Sequence, residues 1–159
     1  MMNDLVLREA TEDDLPIIVA IIRAAFAEYE GPPSPPSGVY RDSGERVLKK
    51  MESGRAALAL LDGEPVGCAV YEPSEGYVYF GRLAVLPSYR HHKIGAALVS
   101  YVEERGRQIG MQYVRLGVRS GLPQLREWYE LAGYALVEEC FMPGFDEPIY
   151  VMLEKDVSR

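Results

Sequence analysis

Residues 77–119 read "YVYFGRLAVLPSYRHHKIGAALVSYVEERGRQIGMQYVRLGVR". The segment opens with a β-type run, 77–86, in which Gly81 invites a bulge or a close backbone approach. Residues 94–109 place Ile94, Leu98, Val102 and Ile109 at helical spacing, and 111–119 return to β-formers. Strand, helix and strand in that order require a crossover, and so a parallel pair inside the sheet. The turn "PSYRHHKIGAAL" (87–98) follows the first of these strands. It therefore falls at the carboxyl end of a parallel strand, the end where α/β sheets hold ligands.

Outward from this unit, "DLVLRE" (4–9) reads as a first strand. A helix over 11–30 follows, with Thr11 and Asp14 as a capping box and Leu15, Ile18, Ile22 and Phe26 on one stripe. The loop "GPPSPPSG" (31–38), with four prolines and two glycines, must end it. Asp42 caps a second short helix, 43–53. Two β-type runs within 55–72 flank Asp62-Gly63, a hairpin signal. After the central unit come a helix over 122–133, bounded by Pro123 and Gly133, and strands over 134–142 and 148–155. The predicted order is β-α-α-β-β-β-α-β-α-β-β. That order gives one α/β domain over 1–159: a mixed, mostly antiparallel sheet with a central parallel pair and helices on its faces.

Composition bounds the partners. A formal charge of −7 over 159 residues argues against nucleic acid and anionic membranes. No apolar run approaches the roughly 20 residues that span a bilayer. Cys68 and Cys140 form no motif with each other or with His91 and His92, which predicts a reducing, cytoplasmic setting and no metal site. Against this acidic background the basic turn around Arg90 and Lys93 points to a compact anionic ligand.

Two readings of the turn stand side by side. Gly95, Ala96 and Ala97 let a helix N-terminus approach a phosphate closely, and Arg90 and Lys93 add charge. Equally, the turn is a solvated helix cap. The chain contains no G-x-x-x-x-G-K-[ST], no G-x-G-x-x-G opening a strand–helix unit and no G-x-S-x-G elbow. In "LREWYELAGY" (125–134), helical spacing turns Leu125, Trp128 and Leu131 towards a core and leaves Tyr129 as a further aromatic anchor.

Together the two segments resemble the GNAT superfamily of acyl-CoA-dependent N-acetyltransferases. Its pattern runs L-x-V-x-P, then [QR]-x-x-G-x-[GA] opening a helix, then Y-E-x-x-G-[FY]. Here these are Leu83, Val85 and Pro87, Arg90 to Gly95, and Tyr129, Glu130, Gly133 and Tyr134. Two positions depart: Lys93 replaces the first loop glycine, and Leu122 stands where an asparagine is frequent. The resemblance implies a splayed central strand pair and acetyl-CoA as co-substrate. The amides of His91, His92, Lys93, Ile94, Gly95 and Ala96 would cradle its pyrophosphate, supported by Arg90 and Lys93. Its pantetheine arm would pair with backbone at Leu83, Ala84 and Val85, and the Val85 amide would polarise the thioester. Tyr129 would protonate the leaving thiolate.

The amine acceptor is expected near Glu28, Tyr29, Tyr40, Phe145 and Tyr150, with Asp146 and Glu147 drawing a cation. Glu28, Glu30 and Glu72 are the candidate bases. The implied activity is acetyl transfer to a primary amine of a small molecule or peptide. The alternatives are a non-catalytic acyl-CoA-binding module, kept open by the missing base, and an α/β domain whose loop only caps a helix. A homodimer would suit the family.

Overall fold

The structure is a computed structural model that describes residues 4–27, 55–119, 123–141, 143–144 and 146–158. The elements are β1 (Leu5–Glu9), a 3-10 turn (Glu12–Asp14), α1 (Leu15–Phe26), β2 (Arg55–Leu61), β3 (Glu64–Pro73) and β4 (Tyr77–Val85). They continue with a 3-10 helix (Pro87–His92), α2 (Ile94–Gln108), β5 (Tyr113–Arg119), α3 (Pro123–Leu131), β6 (Ala135–Cys140) and β7 (Tyr150–Asp156). The helix expected over 43–53 and the proline loop lie outside the described residues.

One seven-stranded sheet runs β1-β2-β3-β4-β5-β7-β6. Only β4 and β5 are parallel, as the crossover through α2 requires. The β2–β3 hairpin turns on Asp62 (φ 51) and Gly63 (φ 85), the paired left-handed conformation that matches strand twist. Each face carries a helical layer. Ile18, Ile22 and Ala25 of α1 pack on Leu58, Cys68, Val70 and Ala84. Ile94, Leu98 and Val102 of α2 pack on Val78, Phe80, Val114 and Leu116.

The two cores share β4 because of a bulge. Tyr71 pairs with Phe80 but Val70 with Arg82, so Gly81 is an extra residue on β4. A one-residue insertion exchanges the faces of everything beyond it. Val78 and Phe80 thus join the α2 core while Ala84, of the same parity, joins the α1 core. Leu83 and Val85 are turned to the α2 side.

The start of α1 is fixed by charge. Asp14, 7% exposed, accepts from both Arg8 Nη atoms at 2.9 and 3.1 Å and from the Thr11 amide at 2.9 Å. The capping box belongs to the 3-10 turn, and α1 proper begins at Leu15, one turn later than the pattern suggests. The Arg8 guanidinium, then the Thr11 amide, hold the Asp14 carboxyl down at about 2. A carboxyl depressed in the folded state stabilises above its unfolded pKa and loses that contribution as pH falls through the folded value. With half-exposed Arg8 as partner the contribution is about 1–2 kcal/mol. Asp14→Asn is expected to lower stability by that amount at neutral pH, measured by urea unfolding. The gap between variant and wild type should close between pH of about 4 and about 2.

Candidate functional site

The parallel pairing of β4 with β5 runs from Tyr77–Tyr113 to Phe80–Leu116 and ends there. Beyond it β4 stays with β3 as far as Val85–Gly67, and β5 stays with β7 as far as Arg119–Tyr150. The two strands therefore part at their carboxyl ends. The Leu86 amide donates to the Val66 carbonyl at 2.9 Å, towards β3. Antiparallel alternation sends the polar groups of Ala84 the same way and those of Leu83 and Val85 into the gap. No strand among the described residues occupies it.

On the α2 side the gap opens into a cleft of about 790 Å³. Leu83, Ala84 and Val85 form its floor, Lys93, Gly95 and Ala96 one wall, and Gln124, Leu125 and Trp128 of α3 the other. The 3-10 helix takes up the amides of His91 and His92 in its own turns, so the expected cradle narrows to the first turn of α2, where amides have no intrahelical acceptor. The side chains of both histidines lie outside the described residues. Lys93 joins the two helices in the left-handed conformation, φ 59 and ψ 23, which accounts for the glycine usual there. A Cβ on Gly95 would stand 3.7 Å from Trp128 and 3.9 Å from Val85, in ordinary contact, so a longer side chain there would press on both sides of the cleft. Arg90 lines the cleft and also donates to the Ala25 carbonyl at 2.7 Å, tying the turn to the end of α1.

The segment "YELAGY" is a helix stop. The Tyr134 amide donates to the Tyr129 carbonyl at 3.1 Å and the Gly133 amide to the Glu130 carbonyl at 3.0 Å, with Gly133 at φ 103. That is a Schellman cap, whose accompanying apolar contact is here the edge-to-face pair of Tyr129 and Tyr134 at 5.7 Å. Tyr134 is anchored in turn: its hydroxyl donates to buried Glu103 at 2.9 Å, and Lys155 pairs with the same carboxylate at 3.2 Å. On α3, Tyr129 packs as the expected aromatic anchor, but Trp128 and Leu131 are not the core residues that helical spacing suggests. Tyr129 is 5% exposed in the core, whereas Trp128 is 37% and Leu131 82% exposed, because the cap turns Tyr129 inward. Burial alone pushes the Tyr129 phenol pKa up from its ordinary value. Trp128 packs edge-on against it at 4.9 Å and is the α3 aromatic that lines the cleft.

The opposite sheet face, beyond the cover of α1, holds a second hollow of about 570 Å³ over β4, β5, β7 and β6. Tyr77, Tyr79, Arg115, Glu138, Cys140, Tyr150 and Met152 line it. Tyr150 is thus at the far side of the gap, and a Cβ on Gly117 would lie 3.6 Å from the Tyr79 hydroxyl. Glu72 pairs across β3–β4 with Tyr79, on the same face. Glu28, Tyr29, Glu30, Tyr40 and Phe145 lie outside the described residues, and Asp146 and Glu147 are exposed. Trp128, Tyr79 and Glu138 are the residues that pattern reading missed. The alternation in "YVYF" held the signal for Tyr79. Both cysteines are free, and no cluster of metal-ligating side chains occurs among the described residues. No helix there is long and apolar enough to cross a membrane.

Comparison with known proteins matches this architecture. The sequence profile of the acetyltransferase (GNAT) family aligns with residues 19–134. The paiA N-acetyltransferase of Thermoplasma acidophilum, solved with coenzyme A, superposes with a TM-score of 0.80 at 21% identity, covering 96% of this chain and 99% of its own. The ribosomal-protein-S18-alanine N-acetyltransferase of Escherichia coli gives 0.78 at 18% identity, over 99% and 96%. Ard1 of Thermoplasma volcanium gives 0.77 at 18%, over 96% and 97%. Curated protein sequences give no significant match. With its splayed β4–β5 pair, its basic helix entry and a profile match over most of its length, the chain belongs to the acetyltransferase (GNAT) family.

Proposed function

We propose that this protein is an N-acetyltransferase that moves an acetyl group from acetyl-CoA to a primary amine by direct attack of the amine on the thioester. The observation that carries the reading is the parted β4–β5 pair, open to a hollow on each sheet face, with the α2 N-terminus at the mouth of one. The chain's residues suit that co-substrate. The first α2 amides and the Lys93 and Arg90 cations favour a pyrophosphate. The gap-facing backbone of Leu83 and Val85 suits an extended, amide-bearing arm that adds like a strand.

Acetyl-CoA, when bound, supplies the activated thioester; the protein supplies position and protons. The Val85 amide, aimed into the gap, is a donor for a carbonyl oxygen that gains negative charge. Tyr129, its phenol pKa raised by burial, stays protonated across the working range and holds the proton that a departing thiolate needs. An amine of pKa about 10.4 must shed a proton before it attacks. The rate should therefore rise with pH towards that value, and the raised phenol predicts no falling limb below pH of about 10. One observation favours the non-catalytic acyl-CoA-binding reading: Trp128, rather than Tyr129, lines the cleft.

Two experiments decide. Gly95→Val projects branches into the cleft between Trp128 and Val85, so calorimetric affinity for acetyl-CoA should fall about tenfold or more while Tm shifts by a few degrees at most. Unchanged affinity would place the cofactor elsewhere. Tyr129→Phe should lower kcat about a hundredfold with little change in KM for acetyl-CoA, read from thiol release with an amine panel. Wild-type protein that binds acetyl-CoA but acetylates none of the panel would be the binding module instead.

A further inference from the structure

Gly67 of β3 does not line the cofactor cleft, yet both halves of that cleft are seated on it. Along the sheet it pairs with Val85, and its neighbour Val66 accepts from the Leu86 amide at 2.9 Å, so this point of β3 retains the end of β4. Towards α2 it carries the start of the helix. A Cβ at Gly67 would stand 3.2 Å from Ile94 Cγ2, 3.2 Å from Leu98 Cδ1 and 3.1 Å from the Ala84 carbonyl oxygen. Comfortable carbon contacts lie at about 3.5–4.0 Å. Ile94 and Leu98 are wholly buried and Ala84 nearly so, which leaves none of them open space to yield into. A bulge creates the crowding. Ala59 pairs with Gly67 but Leu60 with Pro65, so Val66 is an extra residue and the consecutive Val66 and Gly67 both face the α2 core. The φ of Gly67 lies outside the left-handed region, so space, and not backbone conformation, requires glycine here.

Resting on the acetyl-CoA reading, we infer that Gly67 is a positioning residue that sets the distance between the two parts of the cofactor site. One part is the first turn of α2, which begins at Ile94 and would hold the pyrophosphate. The other is the Leu83–Val85 floor, which would take the pantetheine arm. A ligand that engages both needs them at one separation, and Gly67 is where the helix and the strand rest on a common point. A methyl group there must push the start of α2 and the Ala84 carbonyl apart by a few tenths of an ångström. Each part keeps its own groups, but their spacing changes. The other α2-facing contact of this kind is innocuous: a Cβ at Gly106, near the far end of α2, would meet Val78 at 3.5 Å, an ordinary contact.

The test measures calorimetric affinity for CoA, which spans both parts, and for 3′-phospho-ADP, its nucleotide half, which reaches only the helix side. Gly67→Ala should weaken CoA about tenfold and 3′-phospho-ADP less than about twofold, a change of ratio that general destabilisation would not produce. Gly106→Ala, on the same helix, should leave the ratio at the wild-type value. Leu98→Val removes the Cδ1 that the new methyl meets, so Gly67→Ala/Leu98→Val should recover part of the loss and keep the CoA deficit at about threefold. The double variant also conserves core volume and carries the measurement if Gly67→Ala does not fold; a wild-type ratio in it would then overturn the inference. Equal loss of both ligands in Gly67→Ala, no loss of either, or the same change of ratio in Gly106→Ala would each overturn it too, while leaving the cofactor cleft in place. Failure of the wild type to bind CoA would instead remove the acetyl-CoA reading, and this inference with it.

Discussion

Everything functional in this fold depends on two neighbouring strands losing contact. A sheet ordinarily satisfies each backbone N–H and C=O through its neighbours, and leaving them unmet is costly. Here β4 and β5 hold each other over four residue pairs and then separate. Each is retained by its outer neighbour, β3 or β7, which supports the open geometry. Gly81 supplies the rest of the device. Its insertion re-aims β4, so that Leu83 and Val85 present side chains to the cleft and amides to the gap. The same residue thus sets both the walls of the cleft and its hydrogen-bonding floor.

The helices around that gap frame the cleft. α2 begins at the cleft with its unpaired amides, while α3 ends beside it in the Schellman cap. The cap explains why tyrosine, glycine and tyrosine recur at this spacing without appeal to catalysis. Gly133 takes a left-handed φ of 103, and a Cβ there would also press on the Lys155 side chain at 3.2 Å. Tyr134 is held by Glu103, which is held by Lys155 of β7, so the Tyr129 ring leans on a partner tied to both α2 and the sheet. A phenol fixed in this way has little freedom to swing, as the proposed role of proton donor would require.

Much of this was legible in the chain because it is local. The Asp62-Gly63 hairpin, the Gly81 bulge and the crossover through α2 each follow from a few adjacent residues. The parallel pair followed from the crossover rule, whereas the place of β7 between β5 and β6 was not in the sequence reading. What escaped depends on registers between distant segments. Trp128 did not turn into the core as helical periodicity suggests, because the Tyr134 contact, and not periodicity, decides which ring turns inward. Glu138 was invisible for a like reason: "ALVEEC" alternates no more clearly than an exposed edge strand must, and only pairing with Met152 reveals the bulge. Arg90 was read from its charge alone, and its bond to Ala25 joins segments 65 residues apart.

Lys93 shows how charge and backbone geometry are traded at such a site. A non-glycine residue in the left-handed region costs about 1 kcal/mol, and glycine would relieve that cost at the expense of a similar unfolded-state entropy. The two effects nearly cancel, so stability gives little reason to prefer either residue. Field does give one. With a net charge of −7 the protein repels an approaching polyanion at long range, and only local cations reverse that sign. Arg90 lines the cleft and is tied to the end of α1 by its bond to the Ala25 carbonyl. Lys93 places a second cation on the cleft wall, at the start of α2, where the helix already carries partial positive charge. The departure from glycine leaves the fold almost indifferent and makes the mouth of the cleft the part of an acidic surface that attracts an anion.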